Sequence, residues 1–162
     1  MRMRQKALLY FCALILAAIL PLPAHAAGTP NDYATACAAA ITPSFLASVF
    51  KNPTGAETLK NPGNDGCTVG VGDNSFKFQT GFAPQNSAEW DSFIKKNYPN
   101  AAAVTGVGDK AVRPDDYSLR AWKNTRICNV TGLPLDPGAF KIQGEPLLKK
   151  LGDVCNQLFA LP

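Results

Sequence analysis

The chain has 162 residues, 46% of them apolar and 17% charged, with 16 basic side chains, 12 acidic ones and a single histidine. That length suits one compact domain with a single core rather than two. The histidine, His25, precedes an expected cleavage site, so the mature chain keeps none. Ser-His and Cys-His nucleophilic catalysis, histidine acid–base chemistry and the common zinc and copper sites are thereby excluded together.

The chain opens on Arg2, Arg4 and Lys6, continues through apolar residues 7–20 and reaches Ala24-His25-Ala26. This is the pattern of a secretory signal peptide over residues 1–26, with cleavage expected after Ala26. The apolar run is nearly long enough to span a bilayer, but the small-residue site with Pro21 and Pro23 favours removal over an uncleaved anchor. Cys12 follows Leu9-Tyr10-Phe11, which lack the small side chains a lipid-attachment site needs, so no stable membrane anchor is expected after cleavage. Thirteen basic residues then stand against twelve acidic ones, a net charge of +1. Such a balance offers no electrostatic case for nucleic acid or for an anionic membrane. Residues 27–162 read as one domain, expected to be monomeric.

After a polar lead over residues 27–31, a helical region is expected over 32–50 in two pieces, because Thr42-Pro43 supplies an N-cap and a proline at the first helical position. Residues 51–66 are rich in Asn, Pro, Gly and Thr and read as a loop. Residues 67–82 read as a β-hairpin turning at Asp73-Asn74, with Cys67, Val69, Val71, Phe76 and Phe78 on one face. Its other face, with Thr68, Gly70, Lys77 and Gln79, is wet. Ser87 is the expected cap of a helix in which Trp90, Phe93, Ile94 and Tyr98 share a side and which Pro99 ends.

The tetrapeptide Gly-Val-Gly-Asp occurs at 70–73 and again at 106–109, too short a match for a duplicated unit. Gly106 and Gly108 lack the third glycine of a dinucleotide fingerprint, so they read as a turn needing positive φ, and no cofactor is expected. Residues 117–131 read as a second hairpin. A turn at Asn124-Thr125 pairs Lys123 with Arg126, Trp122 with Ile127, Ala121 with Cys128, Arg120 with Asn129 and Leu119 with Val130. One face carries Leu119, Ala121, Cys128 and Val130; the other carries Arg120, Trp122, Ile127 and Asn129. Asn129-Val130-Thr131 also matches a glycosylation sequon, which carries no weight in an exported chain of bacterial type. Residues 145–160 repeat Leu147, Leu151, Val154, Cys155 and Leu158 as a helical stripe.

Four cysteines remain in the mature chain, Cys37, Cys67, Cys128 and Cys155, an even number that reads as two disulfides. Three connectivities are possible. Cys37 with Cys67 and Cys128 with Cys155 is favoured, because each pair ties an expected helix to the strand it covers. The spacing is unlike a zinc site, and no metal is expected. The fold class is α+β: a single antiparallel sheet of four to five strands, with helices on one face and two disulfides.

The run from Cys37 to Pro43, the strand opened by Cys67, and Gly106-Val107-Gly108-Asp109-Lys110-Ala111 ahead of a last hairpin and a final helix resemble small bacterial extracytoplasmic domains. These are lipoproteins of unknown function and the similar extracellular sensor domain of a mycobacterial serine/threonine kinase. The resemblance implies an α+β domain with two disulfides, a cleft and a ligand-binding role, with no catalytic residue to carry over. The chain departs from the lipoproteins in having no lipid-anchor cysteine.

The expected function is a non-enzymatic binding module of the bacterial periplasm or cell exterior, possessing a protein or small-ligand partner and including an inhibitor or immunity-type role. Arg120, Trp122, Ile127 and Asn129 form the candidate interaction surface, since Trp and Arg are enriched in binding hot spots. A carboxylate hydrolase would have to use Asp115 and Asp116 after Arg113-Pro114, but neighbouring residues rarely face one substrate, so no catalytic residue is named. An envelope structural component would need an oligomerising surface that the sequence does not display.

Overall fold

In the hairpin at the middle of the sheet, five residue pairs align as the alternation demands, from Leu119↔Val130 to Lys123↔Arg126, around a turn where Asn124 takes a φ of 55°. The computed structural model describes residues 30–60, 66–82 and 84–161. The expected signal peptide, residues 1–26, and its expected cleavage site therefore lie outside the described residues. Seven strands form one antiparallel sheet: β1 (Glu57–Lys60), β2 (Gly66–Val71), β3 (Asn74–Phe82), β4 (Ala102–Val104), β5 (Lys110–Asp115), β6 (Ser118–Lys123) and β7 (Arg126–Leu133). Their order, β1-β2-β3-β7-β6-β5-β4, joins two meanders through the pairing of β3 with β7. These are the two longest strands.

The sheet thus has seven strands where four to five were expected. Part of the excess is two edge strands too short for a period to register: β4 has three residues, and the four of β1 sit inside the 51–66 stretch that reads as loop by composition. The first hairpin also turns one residue earlier than expected, at Gly72-Asp73, so that Val71 pairs with Asn74 and Val69 with Phe76. Gly72 supplies the positive φ, 56°, that a two-residue turn favours at this position. Asn74 is buried instead, and its side-chain oxygen accepts a hydrogen bond from the Asp136 amide at 2.9 Å. The register moves by two residues, which preserves every face.

Among the described residues four helices accompany the sheet: α1 (Pro30–Ala40), α2 (Pro43–Val49), α3 (Ser87–Asn97) and α4 (Glu145–Phe159). The break between α1 and α2 falls where Thr42-Pro43 puts it, with the Thr42 hydroxyl accepting from the Phe45 amide at 3.0 Å. Asn86, one residue ahead of the expected Ser87, caps α3 through the Glu89 amide.

The first, second and fourth helices cover one face. There Leu119, Ala121, Cys128 and Val130 meet Leu147, Leu151, Val154 and Leu158 of α4, all at most 1% exposed. Burial of each large apolar side chain contributes about 1.5–3 kcal/mol. Two disulfides staple this layer to the sheet: Cys37–Cys67 joins α1 to β2 and Cys128–Cys155 joins β7 to α4, with Cα atoms 5.7 and 5.6 Å apart.

Helix α3 departs from the expected one-sided arrangement: its Trp90 meets Trp122, which lies opposite Ala121 across the sheet, so α3 packs on the outer face. The reason is local. Trp122, Val112 and Ile127 make an apolar patch on that face, and Trp90 and Ile94 are the side chains of α3 that close it.

The loop at residues 105–109 shows what its glycines are for. Gly106 and Gly108 take φ values of 80° and 56°, as the turn reading requires. Asn156 of α4 grips both, accepting from the Gly108 amide and donating to the Gly106 carbonyl, each at 2.9 Å. Val107 between them is buried against Gly152, where an added Cβ would lie 2.3 Å from its methyl.

Candidate functional site

Arg120, Trp122, Ile127 and Asn129 do share one face, through the pairs Trp122↔Ile127 and Arg120↔Asn129. Two of the four are committed within the protein. Trp122 is 7% exposed, stacks on Trp90 at 6.3 Å between ring centroids, and donates its indole N–H to the Pro84 carbonyl at 3.0 Å. Arg120 lies along its own sheet. Its Nε donates to the Tyr98 hydroxyl at 3.2 Å, its Nη1 to the carbonyls of Leu119 and Val130 at 3.1 and 2.7 Å, and its Nη2 to the Thr131 hydroxyl at 3.4 Å. The guanidinium also sits 5.4 Å from the centre of the Tyr98 ring. Trp122 and Arg120 therefore hold α3 and the residue that ends it. Ile127 is half-buried against the tryptophan pair, and Asn129 is half-buried at the border of the covered area.

Beyond that border no further helix among the described residues covers the outer face. Across four strands the register aligns Leu59, Thr68, Lys77 and Thr131 in one row and Glu57, Gly70, Ser75 and Leu133 in the next. Leu59 and Leu133 are 60% and 53% exposed, and Lys77 and Thr131 between them are exposed as well. Four strands at about 4.8 Å spacing make this a platform about 14 Å wide. The wet face of residues 67–82 was legible in the sequence. That β1 and β7 would widen it was not, because β1 carries no strand period and the long-range pairing of β3 with β7 leaves no local mark.

Asp115 and Asp116 have structural partners. The Asp115 carboxylate accepts from the Tyr117 amide at 2.8 Å, and Asp116 pairs with Arg113 at 3.1 Å, both across the β5–β6 turn. The described residues contain no group of three or more His, Cys, Asp or Glu side chains that could hold a metal ion, and no helix long and apolar enough to cross a membrane.

On the opposite side, α2 and α4 border an open groove of about 250 Å³, with Phe45 and Val154 in its lining and Ser44, Lys150, Asp153 and Gln157 among its polar residues. No protein-family model matches the chain, and no curated protein or solved structure is significantly similar to it.

Proposed function

We propose that the mature chain is a non-enzymatic binding module of the bacterial periplasm or cell exterior that receives a protein partner on the half of its outer sheet face that α3 does not cover. The observation that carries this reading is the asymmetry of the sheet. Three helices and two disulfides close one face, whereas α3 covers only the Trp122 end of the other and leaves Leu59 and Leu133 exposed. A flat platform suits a protein better than a small molecule, which needs a concavity to bury most of its surface. A platform about 14 Å wide is the size of an interface centre rather than a whole interface, so the contact would extend over the edge strand β1. Two disulfides are compatible with an oxidising compartment, in keeping with the signal-peptide pattern and with the resemblance to extracytoplasmic domains.

The test is capture from native envelope and culture medium on the immobilised, oxidised mature protein. A Lys77→Glu, Leu133→Asp variant is compared with the parent and with Lys149→Glu, a change on the exposed side of α4. A protein retained by the parent and by Lys149→Glu but lost by the double variant supports the reading. Retention by all three, or by none, contradicts it.

A further inference from the structure

The groove between α2 and α4 has charged groups with no ion-pair partner among the described residues, a feature that the outer-face reading neither needs nor explains. Lys150, Asp153 and Gln157 stand at i, i+3 and i+7 on one side of α4. The ion pairs among the described residues are Lys110–Asp91 and Arg113–Asp116; Lys150 and Asp153 belong to neither, although three residues apart on a helix they are near enough to pair. Across the groove, the Ser48 hydroxyl donates to the Phe45 carbonyl and the Thr42 hydroxyl accepts from the Phe45 amide, while the Ser44 hydroxyl makes no hydrogen bond among the described residues. A cation, an anion, an amide and hydroxyls thus surround the half-buried Phe45, the apolar floor of the groove.

We propose that this groove binds a small zwitterion, an α-amino acid with an apolar side chain, whose carboxylate meets Lys150 and Ser44 while its ammonium meets Asp153 and its side chain lies on Phe45. The chemistry follows from the pairing of charges. A simple anion would leave Asp153 facing like charge, a simple cation would leave Lys150 so, and an apolar molecule would desolvate both without return. A zwitterion satisfies both and presents its remaining surface to the floor. The groove, at about 250 Å³, lies just below the range of drug-sized sites, which fits a ligand of this size. Its charges are open to water, so the affinity is weak, with a Kd on the order of 1 mM.

The experiment is a titration followed by amide NMR shifts of the mature, oxidised protein with L-leucine, N-acetyl-L-leucine and L-leucinamide, the last two each lacking one charge. The expected result is saturable shifts at residues 44–45 and 150–157 with L-leucine, and binding at least tenfold weaker for both derivatives. Lys150→Met and Asp153→Asn, both exposed changes, should weaken L-leucine by a similar factor while leaving the thermal midpoint in place. Equal binding of all three compounds would overturn the zwitterion assignment. Absence of saturable shifts with L-leucine, or shifts confined to other residues, would overturn the site, and neither result bears on the outer-face platform.

Discussion

On the helix side of the sheet, Leu119, Ala121, Cys128 and Val130 are sealed by α4, and disulfides cross the layer boundary at two places. On the outer side the cover is one helix held by the Trp90–Trp122 stack, an exposed Lys110–Asp91 ion pair and the contact of Arg120 with Tyr98. The same β6 and β7 strands serve both, because alternation sends successive residues to opposite faces. The difference teaches that the two faces are closed by different means: one by apolar burial along its length, the other only where tryptophan requires it.

Deleting core volume tests the closed face most severely. Leu151→Ala, at a fully buried position, is expected to cost about 2–5 kcal/mol in denaturant unfolding, whereas Lys77→Ala on the platform should stay within about 0.5 kcal/mol. Equal costs would erase the contrast. Removing one staple, by Cys128→Ala with Cys155→Ala, should lower stability by about 3.5 kcal/mol, as the chain-entropy model gives for a sequence separation of 27.

Trp90→Ala sharpens the comparison differently. Its effect on global unfolding is capped by the free energy of undocking α3, and so falls below the roughly 3–5 kcal/mol of a tryptophan deletion in a closed core. Hydrogen exchange should then show residues 87–97 losing protection while α4 keeps its own. Loss in both together would make the two faces one cooperative unit. The smallest effect belongs to Lys110→Met. The pair it breaks has side chains 34% and 62% exposed, so the change should cost less than about 1 kcal/mol and nothing measurable in 1 M salt.

Much of this architecture was legible, and the exceptions share physical causes. The hairpin of β6 and β7 could be paired residue by residue because a turn at Asn124 and a sharp division of apolar and mixed faces allow one register. The hairpin of β2 and β3 could not, since a shift of two residues leaves the same side chains on the same faces; Asn74, used inside the protein, decides between them. The two disulfides follow from placing each cysteine on a covered face. The side chosen by α3 was hidden because its stripe of Trp90 and Ile94 fits any apolar patch, and only the assembled sheet shows that Trp122, Val112 and Ile127 make one on the outer face. For the same reason Trp122 and Arg120 read as a binding surface, while the platform beside them depends on β1 and on a strand pairing about fifty residues apart in sequence.

The platform itself is tested most directly by a photo-activated crosslinking side chain placed at position 77 or 131 on the outer face and, separately, at position 149 on α4, in protein produced by its native host. A discrete adduct with one protein from positions 77 and 131, absent from 149, is the result expected. Adducts from 149 alone, or none from the outer face, would contradict the placement of the binding surface.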